Sequence, residues 1–363
     1  MDVQSKDNPF LITQGLPPFD RMETDQIVPA MEQVIAETER RIEEIEENLT
    51  PTWEGVMQPL EELGIAFSYT WAPVGHLLGV KNSDDLRKAH EEIQPKMVEL
   101  GLRINQSKPV YDCLKTIQNT DVWEQMEEAQ QRAIADNVRS AEHAGVGLEG
   151  EEKERFLEIS RELSKISTDF SNNVLDSRKQ FELVIDDASE TDGWPTTLKQ
   201  VAAQSCNEAR KSDDSAIASD ADEASPETGP WRITLDYPSY LPFMQHHRGR
   251  DHRELLYRAQ MTLASSGEYD NQGLISETLK LRKEKAGLLG YETFADFSLA
   301  SKMAPGVPAV LDMFESLSVP SKPHAQADMD NLESLAKASG QEEPVLHWDT
   351  GFWAERLREK RFD

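Results

Sequence analysis

Two cysteines, Cys113 and Cys206, are too few for a disulfide framework, and neither has the Cys-x-x-Cys partner that redox or metal chemistry needs. Aromatic residues make up only 7% of the 363 positions. No apolar run approaches the roughly 18 to 20 residues that span a bilayer, and the Met1 region is too polar for a secretory signal, so the expected setting is aqueous and cytoplasmic. An organellar location would require a targeting segment upstream of Met1. Basic charge is scarce as well. Thirty-eight Lys and Arg stand against 67 Asp and Glu, giving a formal net charge of −29. Such a field repels phosphate backbones and anionic membranes, which argues against nucleic acid or membrane partners.

Catalytic signatures are also missing. A metallohydrolase helix needs two histidines one turn apart with a glutamate beside the first, and no His-Glu-x-x-His occurs. The nearest string is His90-Glu91-Glu92-Ile93-Gln94, where Gln94 replaces the second ligand with a neutral amide, a poor zinc donor. His246, His247, Asp251 and His252 offer suitable ligand types, but they fall at a polar junction into a helix. Solvated surface is the expectation there, with Asp251 and Glu254 forming an acidic capping box. No Gly-x-Ser-x-Gly elbow is present, Cys113 has no visible base, and Gly145-Val146-Gly147 lacks the rest of a phosphate loop. The last reads as a turn into a helix over 149–177. No residue is therefore assigned a catalytic, cofactor-binding or metal-ligating role.

What is present is helical periodicity. Val28, Met31, Ile35, Thr38, Ile42, Ile45 and Leu49 step by three and four, as do Phe156, Ile159, Leu163, Ile166, Phe170 and Val174. Each series predicts a long helix whose narrow apolar seam packs on a neighbour. Thr50-Pro51 suggests a helix start, as does Asn82 or Ser83, and another helix runs from Gly273 to Leu289 with Gly290 as its stop. Alternation is confined to 181–187 and 231–236, predicting a small β element. Between them, Ser212 to Pro230 is acidic, small and almost devoid of apolar residues, and is expected to be a mobile surface loop. The fold class is thus mainly α, with a helical region at 1–180, the β element and its loop at 181–240, and a second helical region at 241–363.

Several strings occur together in an order that resembles one family. They are Asn8-Pro-Phe-Leu, Gly15-Leu-Pro-Pro-Phe-Asp20, Pro51-Thr-Trp53-Glu, and Trp71-Ala-Pro-Val-Gly-His76-Leu-Leu-Gly-Val-Lys-Asn82. After Gly147-Leu come Phe170-Ser-Asn-Asn173-Val-Leu-Asp176, Asp236-Tyr-Pro-Ser-Tyr240-Leu-Pro, Glu254-Leu-Leu-Tyr257-Arg-Ala and Ala300-Ser-Lys302-Met-Ala. Trp348-Asp and Glu355-Arg-Leu-Arg-Glu-Lys-Arg361 complete the set. The chain resembles the oligopeptidase A and thimet oligopeptidase family of zinc peptidases, over nearly its whole length except the acidic loop. The resemblance implies long packed helices forming one half of a channel-enclosing ellipsoid that admits short unfolded peptides. It also implies that the zinc ligands, the general base and the oxyanion donors belong to a second half, so none is carried over to this sequence. The helical pattern of 348–363 ends at Asp363 without a closing cap, and reads as an interruption of the longer fold. On this reading the chain is the N-terminal portion of a zinc metalloendopeptidase, inactive by itself and holding no zinc. A non-catalytic peptide-binding or helical interaction module is the alternative.

Overall fold

The computed structural model describes residues 8–211 and 223–362. It divides into two compact units, Met1–Lys165 with Thr278–Val307, and Ile166–Glu277 with Pro308–Asp363.

In the first unit, Asn8 caps a short turn at Pro9–Leu11 by accepting the Phe10 N–H at 3.0 Å. Helix α1 (Ile27–Glu47) follows, and buries Ile27, Ala30, Met31, Val34, Ile35, Thr38 and Ile42. This is the stripe that its periodicity predicts. Next come α2 (Gln58–Val80), α3 (Asp84–Asn105), α4 (Lys108–Gln118), α5 (Asp121–Gln125) and α6 (Glu128–His143). Ser83 opens α3 as expected, its hydroxyl accepting the Leu86 N–H at 3.3 Å. The start predicted at Thr50-Pro51 is corrected: extended Thr52 is the residue that caps, accepting the Gly55 N–H at 3.1 Å, and a wide π-helical turn at Trp53–Met57 leads into α2. The capping hydroxyl must sit two or three residues ahead of the amide it satisfies, and Thr52 alone is so placed.

Helix α7 (Gly150–Lys179) begins in the first unit and ends in the second. Phe156 and Ile159 are fully buried, whereas Phe170 is 38% exposed, so the predicted seam is a core contact only near its start. The second unit continues with β1 (Leu183–Ile185), α8 (Thr196–Ala209), β2 (Trp231–Ile233), α9 (Tyr237–His246) and α10 (Arg250–Met261). The two strands pair antiparallel with Leu183 opposite Ile233 and Ile185 opposite Trp231. The strands are shorter than the alternating pattern, because Asp236 already accepts the Tyr240 N–H and Pro238 suits the first turn of α9.

Of the acidic loop predicted over 212–230, residues 212–222 lie outside the described residues. The remainder makes local contacts. Ser225 and Gly229 bridge, Ala224 is buried, and the Asn207 side chain both donates to and accepts from the Ala224 backbone at 2.8 Å. The buried Ala224 thus has its backbone polar groups satisfied.

The remaining helices are α11 (Gln272–Leu288), α12 (Phe294–Leu299), α13 (Val307–Ala338) and α14 (His347–Phe362). After α11, Gly290 takes φ +79° and lets Tyr291 N–H return to the Ala286 carbonyl, the stop the sequence announces. Two apolar clusters build the first unit, one around Phe10, Ile27, Met31 and Ile93, the other around Ile42, Val56, Leu114 and Ile134. Trp194, Trp231, Phe243, Leu256 and Trp348 centre the main core of the second unit. Each such side chain contributes about 1.5–3 kcal/mol when fully buried. Along α13, by contrast, Leu311, Met313, Phe314, Leu317 and Val319 are all more than half exposed.

Candidate functional site

Of the cluster expected to be solvated, His247 is instead buried in the second unit, whereas Asp251 is exposed and His252 is about a third exposed. His247 ends α9 and is 1% exposed. Phe243, one turn earlier, stacks on its ring at 4.3 Å between centroids, and Trp194 meets it edge-on at 5.7 Å. A residue four positions after a core phenylalanine shares its face, so His247 follows Phe243 inward despite its polar neighbours. Trp194 Nε1–H donates to His247 Nδ1 at 3.2 Å. An indole nitrogen can only donate, so the neutral imidazole carries its proton on Nε2, which lies 3.2 Å from His252 Nδ1. Burial, reinforced by His252 and Arg253, pushes the His247 pKa down to about 4.

His246 is also largely buried, and has different partners. Its Nδ1 accepts from Arg356 Nη2 at 3.1 Å, and its Nε2 is 4.0 Å from Glu355 Oε1. Burial, then Arg356, lowers its pKa. The predicted capping role of Asp251 is a further correction. Gly249 is the N-cap residue of α10 and makes no side-chain bond, while Asp251 is exposed in the first turn, where its charge complements the helix dipole. Glu254 accepts from Arg258 Nε at 2.7 Å rather than reaching back. With no side chain at the cap, Gly249 can lie directly on His247. A Cβ there would stand 2.5 Å from His247 Nε2.

Two groups among the described residues bring donor atoms within 4.8 Å of one another: Glu190 with His247 and His252, and His246 with Glu355 and Glu359. Glu190, Glu355 and Glu359 were invisible as site residues in the sequence, since only folding brings them beside the histidines. In each group the available cation is already a side chain or a proton. Arg356 binds Glu359 at 2.6 Å, and Arg358 binds Glu355 at 2.7 Å. A metal-bound imidazole normally donates its other N–H to an acceptor. Here the second nitrogen of both His246 and His247 faces a donor, which is the opposite arrangement.

The other sequence candidates take up packing roles. His90 stacks on Trp71 at 5.0 Å, burial pushes its pKa down, and Gln94 donates to Ser164 Oγ at 3.1 Å. Burial raises the thiols of both Cys113 and Cys206, opposite to what a nucleophile requires. Two surface grooves lie in the first unit. One is acidic, with Glu23, Asp25, Asp85 and Glu92 around Lys88, and the other is apolar, with Phe19, Tyr69 and Pro73 beside His76.

The strongest polar feature is an ion network that the sequence did not disclose. Arg253 is 2% exposed and Asp349 is 0% exposed, and they meet through Arg253 Nη2 and Asp349 Oδ1 at 2.8 Å. Arg253 also donates to the carbonyls of His247 (2.8 Å), Arg248 (3.0 Å) and Trp348 (3.2 Å). Arg250 binds the other Asp349 oxygen at 2.9 Å, and the Leu346 N–H reaches it at 3.1 Å. Burial works against the Asp349 charge, yet these donors hold its pKa below the usual carboxylate range. The α9–α10 turn is thereby fastened to the start of α14.

Comparison with known proteins accounts for nearly the whole chain. Residues 31–153 match the N-terminal domain model of neurolysin and thimet oligopeptidase, and residues 243–363 match peptidase family M3. The organellar (chloroplastic/mitochondrial) oligopeptidase A of Arabidopsis thaliana is 40% identical over 364 residues, covering 100% of this chain and 45% of that protein. A probable cytosolic oligopeptidase A from the same plant is 40% identical over 358 residues, with 98% and 50% covered. The oligopeptidase A of Escherichia coli is 32% identical over 358 residues, with 97% and 50% covered. The chain spans about half the length of the curated relatives it matches. Two family models matching separate stretches, together with similarity to oligopeptidase A proteins across the chain, establish that it belongs to the oligopeptidase A and thimet oligopeptidase family of peptidases.

Proposed function

We propose that this chain serves an oligopeptidase A-like zinc metalloendopeptidase as its N-terminal portion, shaping access for short unfolded peptides while supplying no catalytic, cofactor-binding or metal-binding residue. The observation that carries this reading is similarity to oligopeptidase A proteins across essentially all 363 residues, joined to the absence of His-Glu-x-x-His from them. The two carboxylate–histidine groups do not fit zinc. Trp194 and Arg356 aim donors at the nitrogens that would have to carry the proton if the opposite nitrogens bound a metal. No hydrolytic step is therefore assigned to these residues. The reading places the protein in the cytoplasm, on the likeness to a relative described as cytosolic, with an organelle as the alternative on the likeness to one described as chloroplastic/mitochondrial.

The test uses a quenched fluorescent peptide. The 363-residue chain alone is expected to give no cleavage above background, with or without added zinc, and elemental analysis after gel filtration is expected to find far less than one zinc per chain. Mixing it with a separately expressed polypeptide that carries the family's His-Glu-x-x-His segment should restore chelator-sensitive cleavage of short peptides and not of folded proteins. Chelator-sensitive turnover that follows the pure chain through two chromatographic steps would refute the assignment. So would one zinc per chain that is abolished by replacing His246 and His247.

A further inference from the structure

We propose that His252 is a proton-operated latch at the α9–α10 turn: neutral, it accepts the Nε2–H of buried His247, and protonated, it turns that bond over to Glu190. His252 Nδ1 lies 3.2 Å from His247 Nε2 and 3.3 Å from Glu190 Oε2. One ring nitrogen cannot serve both neighbours in the same state. Because Trp194 fixes the His247 proton on Nε2, the neutral pair is ordered Trp194 to His247 to His252, each donating to the next. His252 then carries its own proton on Nε2, and no hydrogen lies between its Nδ1 and Glu190. A second proton must bind at Nδ1. The new N–H faces the Glu190 carboxylate on one side and the His247 N–H on the other, so it bonds the carboxylate and withdraws His252 as an acceptor, leaving the His247 ring to the backbone of Glu190.

His247 has little room to adjust. Phe243 covers one face of its ring, and Gly249 backs against Nε2. It cannot readily take up a proton of its own, being buried beside the Arg253 guanidinium, which agrees with its depressed pKa. The groups facing His252 are Glu190 from the turn at Ala188–Thr191 and His247 from the end of α9. Asp251 and Arg253 flank it on α10, and the Arg248–Asp192 ion pair at 2.7 Å lies beside the turn. His252 and Glu190 are about a third exposed, at 34% and 39%, so solvent protons reach the latch while the group it controls is buried. Protonation of the His252 ring thus becomes a packing change around Trp194.

The full chain, labelled with nitrogen-15, tests this through its histidine ring and tryptophan indole resonances. At neutral pH both His247 and His252 should show the Nε2–H tautomer. As pH falls, the Trp194 indole resonance should shift with the same midpoint as His252. E190Q should move that midpoint to lower pH, and H252N should leave the indole resonance stationary over the same range. An indole that stays fixed while wild-type His252 titrates, or a midpoint indifferent to E190Q, overturns the latch. So does one equivalent of zinc bound at neutral pH through both rings, because the donors would then hold a metal in place of the proton.

Discussion

At the scale of single residues, His247 sets the sharpest expectations. Its folded-state pKa of about 4 lies below the ordinary imidazole value of about 6.5, so the unfolded chain takes up the proton first as pH falls. Stability attributable to neutral His247 is fully present above about pH 6.5, and is lost as pH drops from there towards 4. A gap of about 2.5 units corresponds to on the order of 3 kcal/mol. Unfolding free energies from denaturant titrations at pH 7 and pH 4 should differ by that order in the wild type, and by clearly less in His247→Phe. Gly249→Ala offers a second check. The exchange ordinarily stabilises by about 0.4–1 kcal/mol through the unfolded chain. Here a Cβ 2.5 Å from a ring held by Phe243 must displace the ring, so the expected effect is destabilisation of about 1–3 kcal/mol. A Gly249→Ala melting temperature equal to or above that of wild type would contradict the packing described for this turn.

At the scale of elements, α14 is held to α10 by the Arg253–Asp349–Arg250 network as well as by Trp348. Asp349→Ala leaves the Arg253 guanidinium buried without its carboxylate, and stranding one member of a buried pair costs about 3–5 kcal/mol. Arg253→Met should cost less. It leaves Asp349 still bound to Arg250 and to the Leu346 N–H, and the methionine fills part of the volume. Urea unfolding of the two variants should therefore rank Asp349→Ala as the more damaging, and the reverse order would show that the hydrogen bonds from Arg253 to three backbone carbonyls dominate. α13 presents the contrasting situation. Phe314 and Leu317 are 57% and 62% exposed, so Phe314→Glu with Leu317→Glu should change stability by no more than about 0.5 kcal/mol per site. The same pair should reduce binding of a dye that reports exposed apolar surface, and unchanged fluorescence would place the dye's site elsewhere.

For the molecule as a whole, 38 basic against 67 acidic residues keeps the chain strongly anionic, while the apolar stretch of α13 stays open to water. Net charge opposes self-association through that stretch, and salt screens the repulsion over about 8–10 Å at 0.10–0.15 M. Raising ionic strength is therefore expected to increase self-association measured by light scattering, and Phe314→Glu with Leu317→Glu should suppress the increase. Salt-independent scattering in the wild type would rule out this balance between charge and apolar exposure.

Helices α1, α7 and α11, the cap at Ser83 as one of the two starts offered, the stop at Gly290 and the two short strands were legible in the sequence. They depend on neighbours within a few positions, and the spacing of apolar residues reports directly which of them share a face. Family membership was legible for a related reason: strings kept in order survive as text. The site was not legible in this way. A run such as His246-His247-Arg248-Gly249-Arg250 is polar throughout, and only packing against Phe243 and Trp194 makes one of its histidines a buried, neutral donor. Likewise, Arg253 and Asp349 are 96 positions apart, and each alone resembles an ordinary surface charge. Periodicity states which side chains lie together on one element. It contains no information on which distant element will cover them, and the tautomer of His247 and the charge pairing of Asp349 follow from that covering.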